Sequence, residues 1–258
     1  MRGKIITCAI HKGGAGKTTG AVSLVNMAHE MGARVCLIDL DPQGNAGDNF
    51  VVEGACESFE TASDLFKEQE AKPVFEVQPG LGLVFATDDL FSIERYPVEA
   101  ASVFRLRLHE LAAQFDLIVI DTPPTMGFAM LAPLIASDFA FSPIVPDAYS
   151  IKGVSSLFKR IQQVKKSHNP KLQFLGLLIN QWNKRDSDQN KTVEQLKEKL
   201  AKYVIPHTIG FRSAIAKAAR RKQPVWYKAS TGSARTAAKE VKAAMQWIIE
   251  NTKIEVKQ

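Results

Sequence analysis

Cysteine is scarce: Cys8, Cys36 and Cys56 are the only three in 258 residues, and they have no metal-ligand spacing. Cys8 and Cys36 lie inside apolar, strand-like runs, where a free cysteine usually acts as a small core residue, so a reducing cytoplasm is the expected setting. No stretch approaches the ~20 consecutive apolar residues that a membrane helix needs. Met1-Arg2-Gly3-Lys4 runs straight into strand-like sequence, so no signal peptide is expected. Internal repeats, low-complexity tracts and linkers are missing too, which favours one domain. What is present is ordinary soluble composition, 45% hydrophobic and 23% charged, enough to bury a sizeable core.

The net charge of +6 is unevenly spread. Residues 1–150 hold 10 Lys/Arg against 20 Asp/Glu, whereas residues 151–230 hold 18 against 4, a balance of +14. Such asymmetry points to a polyanion met by the C-terminal half, although Lys-rich helices can also be simply solvated.

Short apolar runs alternate with longer amphipathic ones. Lys4–Ile10, Val35–Asp39, Leu83–Ala86, Leu117–Asp121, Phe139–Val145 and Phe174–Asn180 read as strands, mostly apolar throughout as in a parallel sheet covered on both faces. Lys17–Met31, Val98–Phe115, Ile151–Lys166, Val193–Tyr203 and Ala234–Glu250 read as helices. Gly32 fits the end of the first, and Thr192 with Gln195 fits a capping box. A short helix is expected around Ala62–Glu70 in the otherwise polar stretch from Gln43 to Gly82. The alternation predicts a single α/β domain with a doubly wound, mostly parallel sheet.

Between the first strand and the first helix stands His11-Lys12-Gly13-Gly14-Ala15-Gly16-Lys17-Thr18-Thr19. Strand, glycine-rich loop and helix in that order are what a P-loop requires: glycines let successive N–H groups face phosphate oxygens, and the helix N-terminus adds partial positive charge. Lys17 is placed for β- and γ-phosphates of ATP, Thr18 for Mg²⁺ and Thr19 for the α-phosphate. Asp39 and Asp121 end two apolar strands, so both carboxylates should emerge beside this loop and hold Mg²⁺ through water.

The form K-G-G-x-G-K-T-T departs from the usual G-x-x-x-x-G-K-[ST], and it resembles the deviant Walker A of the ParA/MinD family, most like the short plasmid ParA proteins of the IncC kind. Asp39-Leu40-Asp41-Pro42-Gln43-Gly44-Asn45 matches that family's second motif, and Leu117 through Asp121-Thr122-Pro123-Pro124 its Walker B. Ala148-Tyr149-Ser150-Ile151 and the stretch from Ile205-Pro206 to Pro224-Val225-Trp226 are similar as well. The resemblance implies that Lys12 crosses a dimer interface to the partner's nucleotide, and that Asp41 orients or activates the attacking water. It also brings Asn180 forward as a reader of the adenine edge, though an Asn at that point could equally sit in a turn.

Arg212, Lys217, Arg220, Arg221 and Lys222 fall where the family keeps residues for non-specific double-stranded DNA binding. If the segment is helical, Lys217, Arg220 and Arg221 share a face. Clustered cations without interleaved aromatics suit phosphate contacts rather than base reading. Only about ten residues precede the P-loop, so no N-terminal helix-turn-helix is expected. The implied activity is that of an ATPase that partitions DNA: an ATP-bridged homodimer on DNA, released when a ParB-like centromere-binding partner triggers hydrolysis. Three rivals remain. A protein cargo could replace the DNA cargo. A MinD-like membrane switch needs a basic amphipathic C-terminal helix, whereas Trp247–Gln258 mixes both charges. An iron–sulfur scaffold is disfavoured by the cysteine positions.

Overall fold

Residues 2–9, 13–50, 58–147 and 150–254 are described in the computed structural model. In chain order they form β1 (Lys4–Cys8), α1 (Lys17–Glu30), β2 (Val35–Asp39), β3 (Phe75–Gln78), β4 (Leu81–Val84), α2 (Leu90–Ile93), α3 (Ala100–Leu111) and β5 (Leu117–Asp121). These are followed by α4 (Phe128–Ala136), β6 (Phe139–Ile144), α5 (Ser150–Ser167), β7 (Gln173–Trp182), α6 (Ser187–Leu200), β8 (Val204–Gly210), α7 (Ser213–Arg220) and α8 (Gly232–Thr252). The sheet order is β3-β4-β2-β5-β1-β6-β7-β8, parallel throughout except for the β3–β4 pair. This is the doubly wound α/β class expected.

The apolar runs are continuous because both faces are covered. β2 and β5 are buried at every position. On one face, α3, α4, α5 and α6 contribute Phe104, Leu108, Met130, Leu157 and Leu196 to one core; on the other, α1 and α8 contribute Leu24, Val25, Val241, Met245 and Ile248 to a second. All parallel strands point the same way, so the loops after β1, β2, β5 and β7 gather at one edge of the sheet.

Local readings hold in part. α1 closes as a Schellman motif: Ala33 N–H donates to the Ala28 carbonyl at 3.1 Å, Gly32 N–H to that of His29 at 2.9 Å, and Gly32 takes φ 91°. Three expectations are corrected. The helix expected at Ala62–Glu70 is only a single 3-10 turn, Asp64–Phe66, because Asp64 bonds Lys67 and Lys72 and holds the segment in a tight loop. The capping box at Thr192 does not form; α6 begins earlier, where the Asp186 carboxylate accepts from Asp188 and Gln189 N–H, and Thr192 lies buried inside the helix. The run ending at Asn180 continues to Trp182. Four elements escaped the pattern: α2, α4, β3 and the edge strand β8, whose apolar run is interrupted by Pro206 and His207.

Segment 58–73 is pinned by a buried ion pair. Arg107 Nη2 lies 2.8 Å from Glu60 Oε1, their side chains 9% and 1% exposed, and Glu60 Oε2 also accepts Lys72 N–H at 2.7 Å. Removing Glu60 leaves the buried Arg107 only the half-exposed Glu110, 3.2 Å from its Nη1, as an ion partner among the described residues. Glu60→Ala should therefore cost about 3–5 kcal/mol in urea unfolding, and pairing Glu60→Leu with Arg107→Met should restore most of that loss. A Glu60→Ala chain as stable as wild type would show that the pair is not a structural anchor.

Candidate nucleotide site

The loop leaves β1 and enters α1 through Gly14 (φ 74°) and Gly16 (φ 90°), both in the left-handed region that suits glycine. At Gly16 a Cβ would fall 2.3 Å from Asn180 Nδ2, so this position takes no side chain as the site stands. Gly13 and Gly14 are exposed, Ala15 is buried, and Lys17, Thr18 and Thr19 form the first turn of α1. Lys17 is buried to 7% exposure, and its charge partly offsets the rise that burial imposes on the Asp121 carboxyl. Lys12 and His11 lie outside the described residues.

Asp39 and Asp121 end adjacent parallel strands in direct register and are both fully buried. Their environments differ. Asp39 Oδ2 accepts Ala46 N–H at 2.9 Å and Gly47 N–H at 2.8 Å, while Oδ1 accepts Asp41 N–H at 3.1 Å. The loop after β2 is thus hung on Asp39. Burial pushes the Asp39 carboxyl up to about 6, against the pull of the Gly47 and Asp41 amides. Asp121 has no such support: among the described residues neither oxygen has a hydrogen-bond partner. Burial first, and the charge of Asp39 second, push it up to about 8; the Thr18 hydroxyl lies close enough to lower it but makes no hydrogen bond of good geometry. A dry carboxylate with two free oxygens, next to a Thr hydroxyl and a buried Lys, fits a hydrated divalent cation. Asp41 stands just past β2, half-buried in a turn in which its Oδ1 accepts Gln43 N–H at 3.1 Å and its carbonyl accepts Gly44 N–H at 2.8 Å.

Asn180 reaches the site in a way that its sequence position did not reveal. Its Nδ2 donates to the Ala15 carbonyl at 2.8 Å and its Oδ1 accepts Gln181 N–H at 2.9 Å, so its amide is engaged with the P-loop. It also lines a cavity of about 190 Å³ beside the loop, together with Gly16, Leu178, Ile209, Phe211 and Arg212. Phe211 is 70% exposed at this cavity, and nothing in the sequence had marked it.

The basic segment divides. α7 has no fully buried residue and rests on the α1/α8 core through half-buried Ala214, Ile215 and Ala218. Lys217, Arg220, Arg221 and Lys222 are exposed, and among the described residues no carboxylate pairs with them. Arg212 parts from this group: its guanidinium closes on Glu240, Nε to Oε2 at 2.9 Å and Nη2 to Oε1 at 2.6 Å, so its charge is compensated. Arg220 and Lys222 face Asn45, Asp48 and Asn49 across a cleft of about 390 Å³. The loop hung on Asp39 and the basic segment therefore border the same cleft. Lys222, two residues past the end of α7, takes φ 54°, where glycine would cost less, and Gln223 N–H closes the turn on the Ala218 carbonyl at 3.2 Å.

A P-loop followed by two strand-end aspartates on this sheet defines the P-loop NTPase class. Residues 3–174 match the family model described as an AAA domain. The chain is 36% identical to protein IncC of Escherichia coli over 99% of its own length and 71% of that protein's. It is 32% identical to the chromosome partitioning protein ParA of Myxococcus xanthus over 80% and 76% of the two chains. In fold it is similar to a Cyanothece McdA–ATP complex, with TM-score 0.82 at 21% identity over 100% and 98% of the two chains. The chain belongs to the ParA-like family of P-loop proteins.

The state of Asp121 makes a pH signature. Its folded pKa stands above the ordinary carboxylate value near 3.9, so between about pH 4 and pH 8 the folded chain holds a proton that the unfolded chain has lost. Stability from this group is full at low pH and falls as pH rises through that window, by at most ~1.4 kcal/mol per pH unit. Asp121→Asn should therefore melt higher than wild type without ligand at pH 8, with the gap shrinking towards pH 5. The same variant should lose the extra stability that wild type gains from MgATP. A constant gap across pH, measured by thermal unfolding, would contradict the buried and unsatisfied carboxylate.

Proposed function

We propose that this chain is an ATP-hydrolysing DNA partition protein with Mg²⁺ as its cofactor. The observation that carries the reading is Asp121, buried, with both oxygens unpartnered, beside the first turn of a helix that begins at a P-loop. The triphosphate lies along the N–H groups of Gly13 to Thr19, with Lys17 on the β- and γ-phosphates and Thr19 on the α-phosphate. Thr18 and Asp121, with Asp39 behind them, hold Mg²⁺. A cation held by these residues would supply charge neutralisation at the phosphate oxygens. Asp41, on the loop that Asp39 fixes, orients the attacking water. Phe211 and the adjacent cavity take the adenosine, and Asn180 serves at the cavity's inner wall.

Lys12 supplies a second positive charge at the transferring phosphoryl, from one subunit to the nucleotide of the other in a homodimer. The dimer binds double-stranded DNA through phosphates, using Lys217, Arg220, Arg221 and Lys222. A ParB-like centromere-binding partner stimulates hydrolysis and release, so the protein is a cytoplasmic, nucleoid-associated switch. Among the described residues no helix is long and apolar enough to cross a membrane. The likeness to McdA, at 21% identity, bears on the fold alone, whereas a relative named for chromosome partitioning reaches 32%, so a DNA cargo is favoured over a protein cargo. DNA partition is the better supported reading.

Two experiments test this. Lys17→Ala should abolish binding of a fluorescent ATP analogue with the fold intact, while Asp41→Ala should bind ATP and dimerise by light scattering yet release phosphate at a small fraction of the wild-type rate. Full turnover in either variant would contradict the roles of Lys17 and Asp41. On DNA, Arg220→Glu with Arg221→Glu should weaken retention of unrelated duplexes alike, leave basal hydrolysis unchanged, and lower the salt slope by about one unit per lost phosphate contact. DNA retention that ignores ATP, resists salt or survives the double change would remove DNA as the carrier.

A further inference from the structure

Strand β7 ends irregularly. Its register with β8 slips between Ile179 and Trp182, and Gln181 inside that slip takes φ 53°. The left-handed region is uncommon for a long, unbranched side chain, and it persists only where its surroundings hold it. Here they do so through hydrogen bonds: Gln181 Nε2 donates to the Gly14 carbonyl at 2.7 Å, and Asn180 Nδ2 donates to the Ala15 carbonyl at 2.8 Å. Two consecutive side-chain amides thus grip two consecutive P-loop carbonyls. Asn or Gly would suit the backbone of residue 181 better, but neither carries an amide far enough to replace the bond that Gln181 makes.

The consequence follows from peptide planarity. In a trans peptide the carbonyl of one residue and the N–H of the next point in opposite directions. Drawing the Gly14 carbonyl towards β7 turns the Ala15 N–H away from it; drawing the Ala15 carbonyl does the same for Gly16 N–H. Among the described residues neither of these N–H groups donates to a backbone acceptor. Successive free N–H groups turned to one side make an anion cradle.

We infer that Gln181 is a positioning residue for the phosphate cradle, its amide setting the Gly14–Ala15 peptide so that Ala15 N–H faces the nucleotide phosphates. This rests on the reading that the loop binds ATP. It assigns β7 a task beyond lining the adenosine cavity, because the same strand end that meets the base also sets the donors that meet the phosphates.

Gln181→Glu keeps the shape and removes the donor at neutral pH. Gln181→Gly removes the donor and relieves the backbone. Both should weaken binding of ATP and ADP with Mg²⁺ about tenfold, the loss expected for one hydrogen bond at a charged ligand. Melting temperature should stay near wild type for Gln181→Glu and stay or rise for Gln181→Gly. Lowering pH from about 7.5 to 4, below the ordinary glutamate pKa, should bring the affinity of Gln181→Glu relative to wild type at the same pH back towards one, because a protonated carboxyl regains an O–H donor, whereas Gln181→Gly should not recover. Should Gln181→Glu fail to fold, the Gly variant decides alone. Wild-type affinity in the folded variants, or a loss of affinity that only tracks a fall in melting temperature, overturns the positioning role and leaves ATP binding standing. A wild-type chain that binds no ATP sinks the underlying reading instead.

Discussion

Two carboxylates in direct register on neighbouring parallel strands, both out of water, are an arrangement that folding alone would avoid. Asp39 and Asp121 meet in this way at the ends of β2 and β5, and the surrounding site can be understood as a response to that cost. One of the pair is made tolerable with three backbone N–H groups, which fixes the loop carrying Asp41. The other is left without partners beside Lys17 and Thr18. Burial of an unpaired carboxylate favours its neutral form, and a divalent cation would remove the same penalty by another route. Such a site is unstable when empty and relaxed when filled, which suits a switch that must register its ligand.

The Asp39 loop also links the site to the outer surface. Asn45, Asp48 and Asn49 stand on this loop and form one wall of a cleft whose other wall carries Arg220 and Lys222. α7, which bears Lys217 and Arg220, has no fully buried residue and is tied at its start by Arg212 to Glu240. Beyond its end, Trp226 Nε1 is hydrogen-bonded to Glu30 on α1. A helix fixed at both ends but lightly packed between them can shift without unfolding its neighbours. Under the proposed function, ordering of the Asp39 loop and presentation of the basic face are therefore adjacent events within one subunit.

Much of this was legible in the chain. The strand-end positions of Asp39 and Asp121 and the glycines of the P-loop follow from runs of apolar residues that stop at a charge, and the structure places all of them at one edge. Elements that depend on partners distant in sequence were less legible. β8 lies at a sheet edge, so its apolar pattern is diluted by Pro206 and His207. The start of α6 was missed because Asp186, rather than Thr192, offers its side chain to free N–H groups, and both residues fit the composition of a cap. Arg212 looked like its basic neighbours until Glu240, 28 residues away, was found to neutralise it.

Gln181 marks the deeper limit. Its identity suggests nothing, since glutamine is common at strand ends and in polar loops, and its role depends on a left-handed backbone angle and on a carbonyl 167 residues earlier in the chain. Periodicity reports which face of an element is buried, and motifs report which groups approach a ligand. Neither reports what turns a peptide plane. In a loop built from glycines, which impose little on their own conformation, the orientation of the N–H groups must come from outside the loop. β7 is where this structure supplies it.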